Sequence, residues 1–170
     1  GTYSLTAYSM EEIVARDFII NEQPDVVVDI VDSTNIERSL YLATQLKELN
    51  IPMIVALNMS DVVDKLGHKH DEKMMGELFG AKFVKTIGHK KKGMTDLLDA
   101  IVDVASGKEK LQKTKVYFDK EVENEIVKLE EIIKDIKPIS DNYSSRWIAV
   151  KLLEADEGII KKCKAVESPK

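Results

Sequence analysis

Residues 25–32 read DVVVDIVD, a nearly unbroken run of β-branched side chains. Such a run is typical of a strand that is buried on both faces of a sheet, because neither face then needs to offer polar side chains to solvent. The segments PMIVAL at 52–57 and, more weakly, KFVKT at 82–86 repeat the pattern. The sequence therefore predicts a strand at each of these places.

Helical patterns precede, separate and follow these strands. They are expected at about 10–21, 34–49, 72–79 and 95–105. The first two begin with pairs spaced as capping boxes, Ser9 with Glu12 and Thr34 with Glu37. Strands that alternate with helices imply right-handed crossovers and an α/β fold with a doubly wound, mostly parallel sheet. Three strands are few for a sheet that should be covered by helices on both faces. We therefore expect N-terminal strands of the fold to be missing from this chain.

The part of the chain after Gly107 shows no strand pattern. A long helix is expected at 119–137, where Pro138 should end it, and shorter helices should follow Ser144 or Ser145 and Glu157. Their apolar residues, with Trp147 among them, are expected to form a core. We therefore predict an α/β domain at 1–108 and a small all-α domain at 109–170.

Composition limits the classes of function. The formal net charge of -5 argues against a nucleic-acid partner, which needs a basic face. No apolar run approaches the roughly 20 residues that cross a bilayer, and no signal peptide opens the chain. The single cysteine, Cys163, cannot form an internal disulfide, which favours a reducing cytosol. Because the chain starts at Gly1 without an initiator methionine, we expect it to be part of a longer polypeptide.

An N-x-x-D motif, Asn58-Met59-Ser60-Asp61, directly follows the second predicted strand. Parallel α/β sheets bind ligands beyond the carboxyl ends of their strands. There, an aspartate can accept two hydrogen bonds from the N1 and N2 donors of guanine, a pair of donors that adenine lacks. The asparagine can tie neighbouring loops together and reach the base N7. The alternative is that Asn58 and Asp61 only cap helices.

A second candidate loop, Thr86-Ile87-Gly88, follows the third predicted strand. One of its backbone N–H groups could meet the guanine O6, and Gly88 would allow a close approach. The alternative is an ordinary turn. The basic run HKKK at 89–92 is interpreted as a charged loop before a helix rather than as a phosphate site.

Two histidines, His68 and His70, lie near Asp64 and Asp71 and raise the question of a metal site. Histidines two residues apart in a polar segment are more typical of a solvated loop, and this is the interpretation adopted. No metal-binding residue and no catalytic residue is predicted in the chain.

Long stretches of the sequence resemble the ferrous iron transport protein B (FeoB) family. They are GTYSLTAYSMEE at 1–12, the run from DVVVDIVDSTNIERSL to NMSDV at 25–62, and SRWIAVKLLE at 145–154. The first is similar to the segment that follows the Asp-Leu-Pro of the family's D-x-x-G motif, and the last is similar to its helical domain. The resemblance covers essentially the whole chain.

The resemblance implies a Ras-like P-loop GTPase domain and a helical regulatory domain at the cytoplasmic face of the cell membrane. They would precede a membrane-spanning region that moves Fe²⁺, and GTP binding and hydrolysis would regulate that uptake. GTP or GDP, with Mg²⁺ in the complete domain, are the implied ligands.

Individual positions match the family's motifs to different degrees. Asn58 and Asp61 match its guanine-specificity motif. Met59 stands where most GTPases carry a lysine that packs on the base, and Gly1 matches a glycine that contacts the γ-phosphate. The match to the family's last base-contacting loop, at Thr86, Ile87 and Gly88, is only loose.

One element of such a site is absent, because no G-x-x-x-x-G-K-[ST] loop occurs in the sequence. That loop wraps the phosphates with backbone N–H groups and positions Mg²⁺. We therefore expect the chain alone to bind nucleotide weakly and not to hydrolyse it. One alternative is a non-enzymatic helical module that docks on a partner or on the membrane region. Another is an unrelated receiver-like domain with Asp29 or Asp32 at its acidic strand end.

Two expectations follow from the missing elements. Residues 1–9 should be mobile, because they resemble a switch segment that lacks its γ-phosphate. The strand at 25–32 should border an open edge of unpaired backbone groups. We expect the isolated chain either to form homo-oligomers through that edge or to need the missing N-terminal segment to fold.

Overall fold

The computed structural model of the chain describes residues 10–166, except the side chains of residues 11 and 12. The predicted capping box of Ser9 with Glu12, the mobility expected for residues 1–9 and the phosphate contact expected of Gly1 lie outside the described residues. They stay predictions.

The sheet consists of three parallel strands in the order β1-β2-β3. The strands are β1 (Val27–Asp32), β2 (Met53–Asn58) and β3 (Lys82–Lys85). Val27 pairs with Met53 and Ile54 pairs with Lys82. β2 is central and buried from Met53 to Leu57, which explains why it carries no polar side chain before its last residue. The predicted α/β fold with a parallel sheet is confirmed.

Four helices accompany the sheet: α2 (Ile36–Glu48), α3 (Ser60–Lys65), α4 (Glu72–Phe79) and α5 (Met94–Ala105). Ala100 and Val104 of α5 pack with Ile54 and Val84 in one apolar cluster. α4 ends as predicted at Gly80, whose left-handed φ of 60° suits a residue without a side chain. The short helix α3 was not predicted, because six residues are too few to show a period.

The start of α2 differs from the predicted capping box of Thr34 with Glu37. A 3₁₀ turn, Ser33–Asn35, precedes the helix. The Asp32 carboxylate accepts hydrogen bonds from the backbone N and the hydroxyl of Thr34, at 2.9 and 2.7 Å. The prediction was wrong because the last residue of β1 already places a charged acceptor over these donors, so the Thr34 hydroxyl donates instead of accepting.

The other helices are α1 (Met10–Glu22), α6 (Lys120–Lys134), α7 (Lys137–Ser140), α8 (Ser145–Leu153) and α9 (Glu157–Val166). Ile126, Trp147 and Ile159 are fully buried in one core, which confirms the place predicted for Trp147. α6 ends at Lys134 rather than at residue 137, and Pro138 lies in the first turn of α7. Proline is tolerated there because the first N–H groups of a helix have no partner within it. None of the helices described here is both long and apolar enough to cross a membrane.

The described residues fall into two compact units, one with residues 10–23, 48–50 and 116–166 and one with residues 24–47 and 51–115. The boundaries of these units differ from the predicted domains 1–108 and 109–170, because α1 belongs to the same unit as the later helices. Arg16 of α1 is buried and forms an ion pair with Asp156 at 3.0 Å within that helical unit. The predicted domain boundaries stay a prediction about how the parts of the protein fold.

A buried acid, Glu48, makes the helical unit sensitive to pH. Its side chain is nearly inaccessible and one carboxylate oxygen has no hydrogen-bond partner among the described residues. Burial raises the pKa of Glu48 to about 7, although the positive charge of Arg146 acts in the opposite direction. The folded state therefore holds this proton more tightly than the unfolded chain does. The stability that the protonated Glu48 contributes to the folded state is complete at low pH and is lost as the pH rises through about 7.

Glu48→Gln is expected to raise the free energy of unfolding by about 1 kcal/mol at about pH 8, because an amide avoids the cost of a buried charge. At about pH 5 the gain should shrink to a fraction of that value, since the folded wild type is then protonated as well. Urea unfolding at both pH values measures the difference. Glu131→Gln, at an exposed position of α6, is the matched control. An equal gain at both pH values would contradict the assignment.

Candidate functional site

The predicted N-x-x-D motif lies at the carboxyl end of the central strand. Asn58 is the last residue of β2, and Ser60 and Asp61 begin α3. Between them Met59 has a left-handed backbone with φ of 61°, which is uncommon for a residue other than glycine. This single turn redirects the chain from strand to helix, and it places the motif at the sheet edge where parallel folds bind ligands.

The loops that follow β2 and β3 are joined by hydrogen bonds. The backbone N of Gly88 donates to Asn58 Oδ1 at 2.9 Å. The Thr86 carbonyl accepts from both the backbone N and the hydroxyl of Ser60, at 3.3 and 3.1 Å. A Cβ atom added to Gly88 would lie 3.4 Å from Asn58 Oδ1, in van der Waals contact with it. Asn58 thus ties the two loops together, as the sequence suggested for it.

The three backbone N–H groups of the second candidate loop are all engaged within the protein. Thr86 N donates to the Leu57 carbonyl at 2.9 Å, and Ile87 N donates to the Lys92 carbonyl at 3.0 Å. Gly88 N is held by Asn58. In this conformation, a contact from the loop to a base oxygen would require one of these N–H groups to share or change its acceptor. That contact stays a prediction.

A third loop, which follows β1, also reaches Asn58. The buried Ser33 hydroxyl donates a hydrogen bond to the Asn58 carbonyl. The Ser33 carbonyl in turn lies 2.9 Å from His70 Nε2, which must carry the proton for this contact to be a hydrogen bond. Sequence reasoning did not identify Ser33 as a support of the site. Its position directly after a strand was the signal that could have found it.

The two oxygens of Asp61 have different surroundings. Oδ2 lies 2.5 Å from the Lys90 ammonium, whereas Oδ1 is buried and has no hydrogen-bond partner among the described residues. The hydrogen bond from Lys90 holds the pKa of the Asp61 carboxyl below its ordinary value, so the group is an anion. Asp61 is therefore a charged acceptor with one oxygen that no described group uses and that neighbouring protein atoms cover.

Asn58, Met59 and Asp61 together offer a defined set of interactions. The Asn58 amide keeps its N–H donors because Gly88 uses only its oxygen. The Met59 side chain is exposed, with 39% of its surface accessible, and can cover a flat apolar ligand. Among residues 10–166 no group of three or more His, Cys, Asp and Glu side chains is placed to hold a metal ion. The arrangement suits a planar ring that carries adjacent N–H donors.

Comparisons with known proteins point to one family along most of the chain. The family model described as ferrous iron transport protein B matches residues 1–101, and that of the FeoB cytosolic helical domain matches residues 118–170. An Fe(2+) transporter FeoB from Methanocaldococcus jannaschii is 40% identical over 96% of this chain and 24% of its own length. A Porphyromonas gingivalis Fe(2+) transport protein A/Fe(2+) transporter FeoB fusion protein is 36% identical over 92% of this chain and 19% of its own length.

A solved structure shows the same fold. The crystal structure of the cytosolic domain of the T. maritima FeoB iron transporter in a GDP form superposes with a TM-score of 0.88 at 30% identity. It covers 100% of this chain, which spans 66% of that structure. The chain thus represents a minor part of the curated relatives and a larger part of the solved cytosolic domain. Given the two family models and these identities, the chain belongs to the FeoB family of ferrous iron transport proteins.

Proposed function

We propose that this chain carries the base-recognition half of a guanine-nucleotide site in the cytosolic region of a ferrous iron transporter. One observation carries the proposal: the Asp61 carboxylate, with its Oδ1 unpartnered, stands at the carboxyl end of β2 beside an Asn58 that ties the loops together. The T. maritima relative, solved in a GDP form, supports a guanine nucleotide as the ligand.

Selectivity for guanine follows from the donors that each base presents. Guanine offers the N1–H and N2–H donors side by side, and the two Asp61 oxygens can accept both. Adenine offers an unprotonated N1 at the matching place, so the carboxylate would face an acceptor and lose its hydrogen bonds. Adenine would leave Oδ1 without a hydrogen bond and place its own N1 acceptor against the carboxylate, so the site should reject adenine.

The activity of the whole protein is part of the proposal. GTP binding and hydrolysis would regulate Fe²⁺ uptake at the cytoplasmic face of the membrane, and the membrane-spanning region of the same transporter would be the partner. The phosphates would be held by residues outside this sequence, which contains no P-loop motif. Mg²⁺, expected in the complete domain, has no ready set of ligands among the described residues, so no step is assigned to it here.

Titration of the chain with nucleoside monophosphates tests base recognition separately from hydrolysis. GMP should bind about tenfold more tightly than IMP, which lacks the N2 donor, and more tightly still than AMP. Amide chemical shifts of the loops after β2 and β3 report the binding. AMP is the internal control, because its phosphate is identical. Equal affinities for the three nucleotides would contradict the proposal.

Asn58→Ala is expected to weaken GMP binding about five- to tenfold, because it removes the acceptor that holds the Gly88 N–H and frees the second loop. AMP binding should change little. The same titration measures both values. Asn124→Ala, at an exposed position of α6, is the matched control. Unchanged GMP affinity in Asn58→Ala would show that the connection between the loops has no part in base binding.

A further inference from the structure

Lys90 already occupies part of the proposed base site. Its ammonium lies 2.5 Å from Asp61 Oδ2, and the two side chains are 43% and 15% exposed. Lys90 is the last residue of a 3₁₀ turn, Gly88–Lys90, in the loop after β3. The ion pair therefore joins the two loops that meet at Asn58, directly at the carboxylate assigned to guanine.

The backbone around Lys90 is held on both sides. Gly88 N is bound by Asn58, and Ile87 and Lys92 exchange two backbone hydrogen bonds at 3.0 and 3.3 Å. The next residue, Lys91, adopts a left-handed conformation with φ of 53° and donates its N–H to the Gly88 carbonyl. Within the basic run 89–92, Lys90 is the residue that the structure shows in an ion pair with Asp61. The pair is a feature of this loop geometry rather than of a lysine-rich surface.

Guanine and Lys90 compete for the same acceptor. Two N–H donors of the base require both Asp61 oxygens, and the ammonium donates to Oδ2. We propose that Lys90 is a built-in competitor of the base, which neutralises Asp61 when no nucleotide is bound and must leave that oxygen before guanine binds. This inference rests on the proposed function, because it assumes that Asp61 reads guanine. Its consequence is a weaker affinity for guanine and an easier release of the nucleotide.

The competition should change the affinity for GMP by a small factor. An ion pair of this partial exposure opposes binding weakly, so its removal should tighten GMP binding about two- to fivefold. Added salt screens the pair, so the advantage of a variant without it should decrease as the ionic strength rises. AMP does not need the Asp61 oxygens, so its affinity should not change.

The test compares Lys90→Gln with Lys91→Gln in the full 170-residue chain. Both variants remove one positive charge from the same exposed loop, so a general loss of attraction for phosphate affects both alike. The probes are GMP and AMP, followed by amide chemical shifts at low and high salt. The expected result is tighter GMP binding in Lys90→Gln alone, with unchanged AMP binding and a smaller gain at high salt.

Three results would overturn the inference. Unchanged GMP affinity in Lys90→Gln would show that the ion pair does not compete, and weaker GMP binding would show that Lys90 contacts the nucleotide instead. If no variant distinguishes GMP from AMP, the proposed function fails and the competitor role fails with it. Carbon-13 titration of the Asp61 carboxyl separates these cases. A pKa that rises in Lys90→Gln shows that the pair exists, whether or not guanine binds.

Discussion

Asp61→Asn is expected to change the base preference of the site from guanine to xanthine. The asparagine amide presents one acceptor and one donor where the carboxylate presented two acceptors. Xanthine carries a carbonyl oxygen at the position of the guanine N2 amino group, so it matches the amide and clashes with the carboxylate. Guanine loses one hydrogen bond outright, meets a donor in its place and keeps only a neutral bond at the other position, so its affinity should fall on the order of a hundredfold.

The change is measured best with fluorescent GDP and XDP on a fusion protein in which a P-loop segment is joined ahead of Gly1. There the phosphates add affinity, so that a large loss can still be followed. Asp64→Asn, at an exposed position of the same helix, is the matched control and should leave both affinities unchanged. Equal GDP affinity in the wild type and Asp61→Asn would rule out Asp61 as the residue that reads the base.

Self-association through the edge of β1 is the second expected result of large effect. β1 pairs with β2 on one side, and the described residues supply no strand for its other side. Ile30 of this strand is 69% exposed. Unpaired backbone groups beside apolar side chains favour the addition of another strand. The edge should therefore pair with a second copy of the chain, unless a strand from a longer polypeptide covers it.

Sedimentation at several concentrations measures this association, together with thermal unfolding of the same samples. Ile30→Lys should raise the dissociation constant at least about tenfold, because it removes an apolar contact and adds charge to the edge. Ile132→Lys is the matched control, because Ile132 is an isoleucine of similar exposure on α6. A monomer at every concentration that unfolds cooperatively would contradict the expectation.

Most of the secondary structure was predictable from short segments. The strands at 25–32 and 52–57 were visible because a fully buried strand needs an uninterrupted apolar run. The ends of elements were less predictable. α6 ends before Pro138, and Asp32 rather than Thr34 begins the turn before α2. These ends depend on which nearby group satisfies the free backbone donors and acceptors, and several groups could do so.

The candidate site was predictable only in part. Asn58 and Asp61 were identified because their spacing after a buried strand is a local property of the chain. Ser33 and Lys90 were not, although each contacts the motif. Lys90 is 29 residues from Asp61 in sequence, and its approach depends on the turn that Gly88 and Lys91 set.

The amino-acid pattern alone was sufficient for the class of fold and for placing the N-x-x-D motif at the end of a strand, since hydrophobic periodicity and turn residues act over a few positions. The tertiary structure decided which loops meet at Asn58, which oxygen of Asp61 is occupied, and that α1 groups with the later helices through Arg16 and Asp156. Such pairings are selected by the packing of distant segments. Many lysines and carboxylates in this chain could form an ion pair, and only their positions in space determine which of them do.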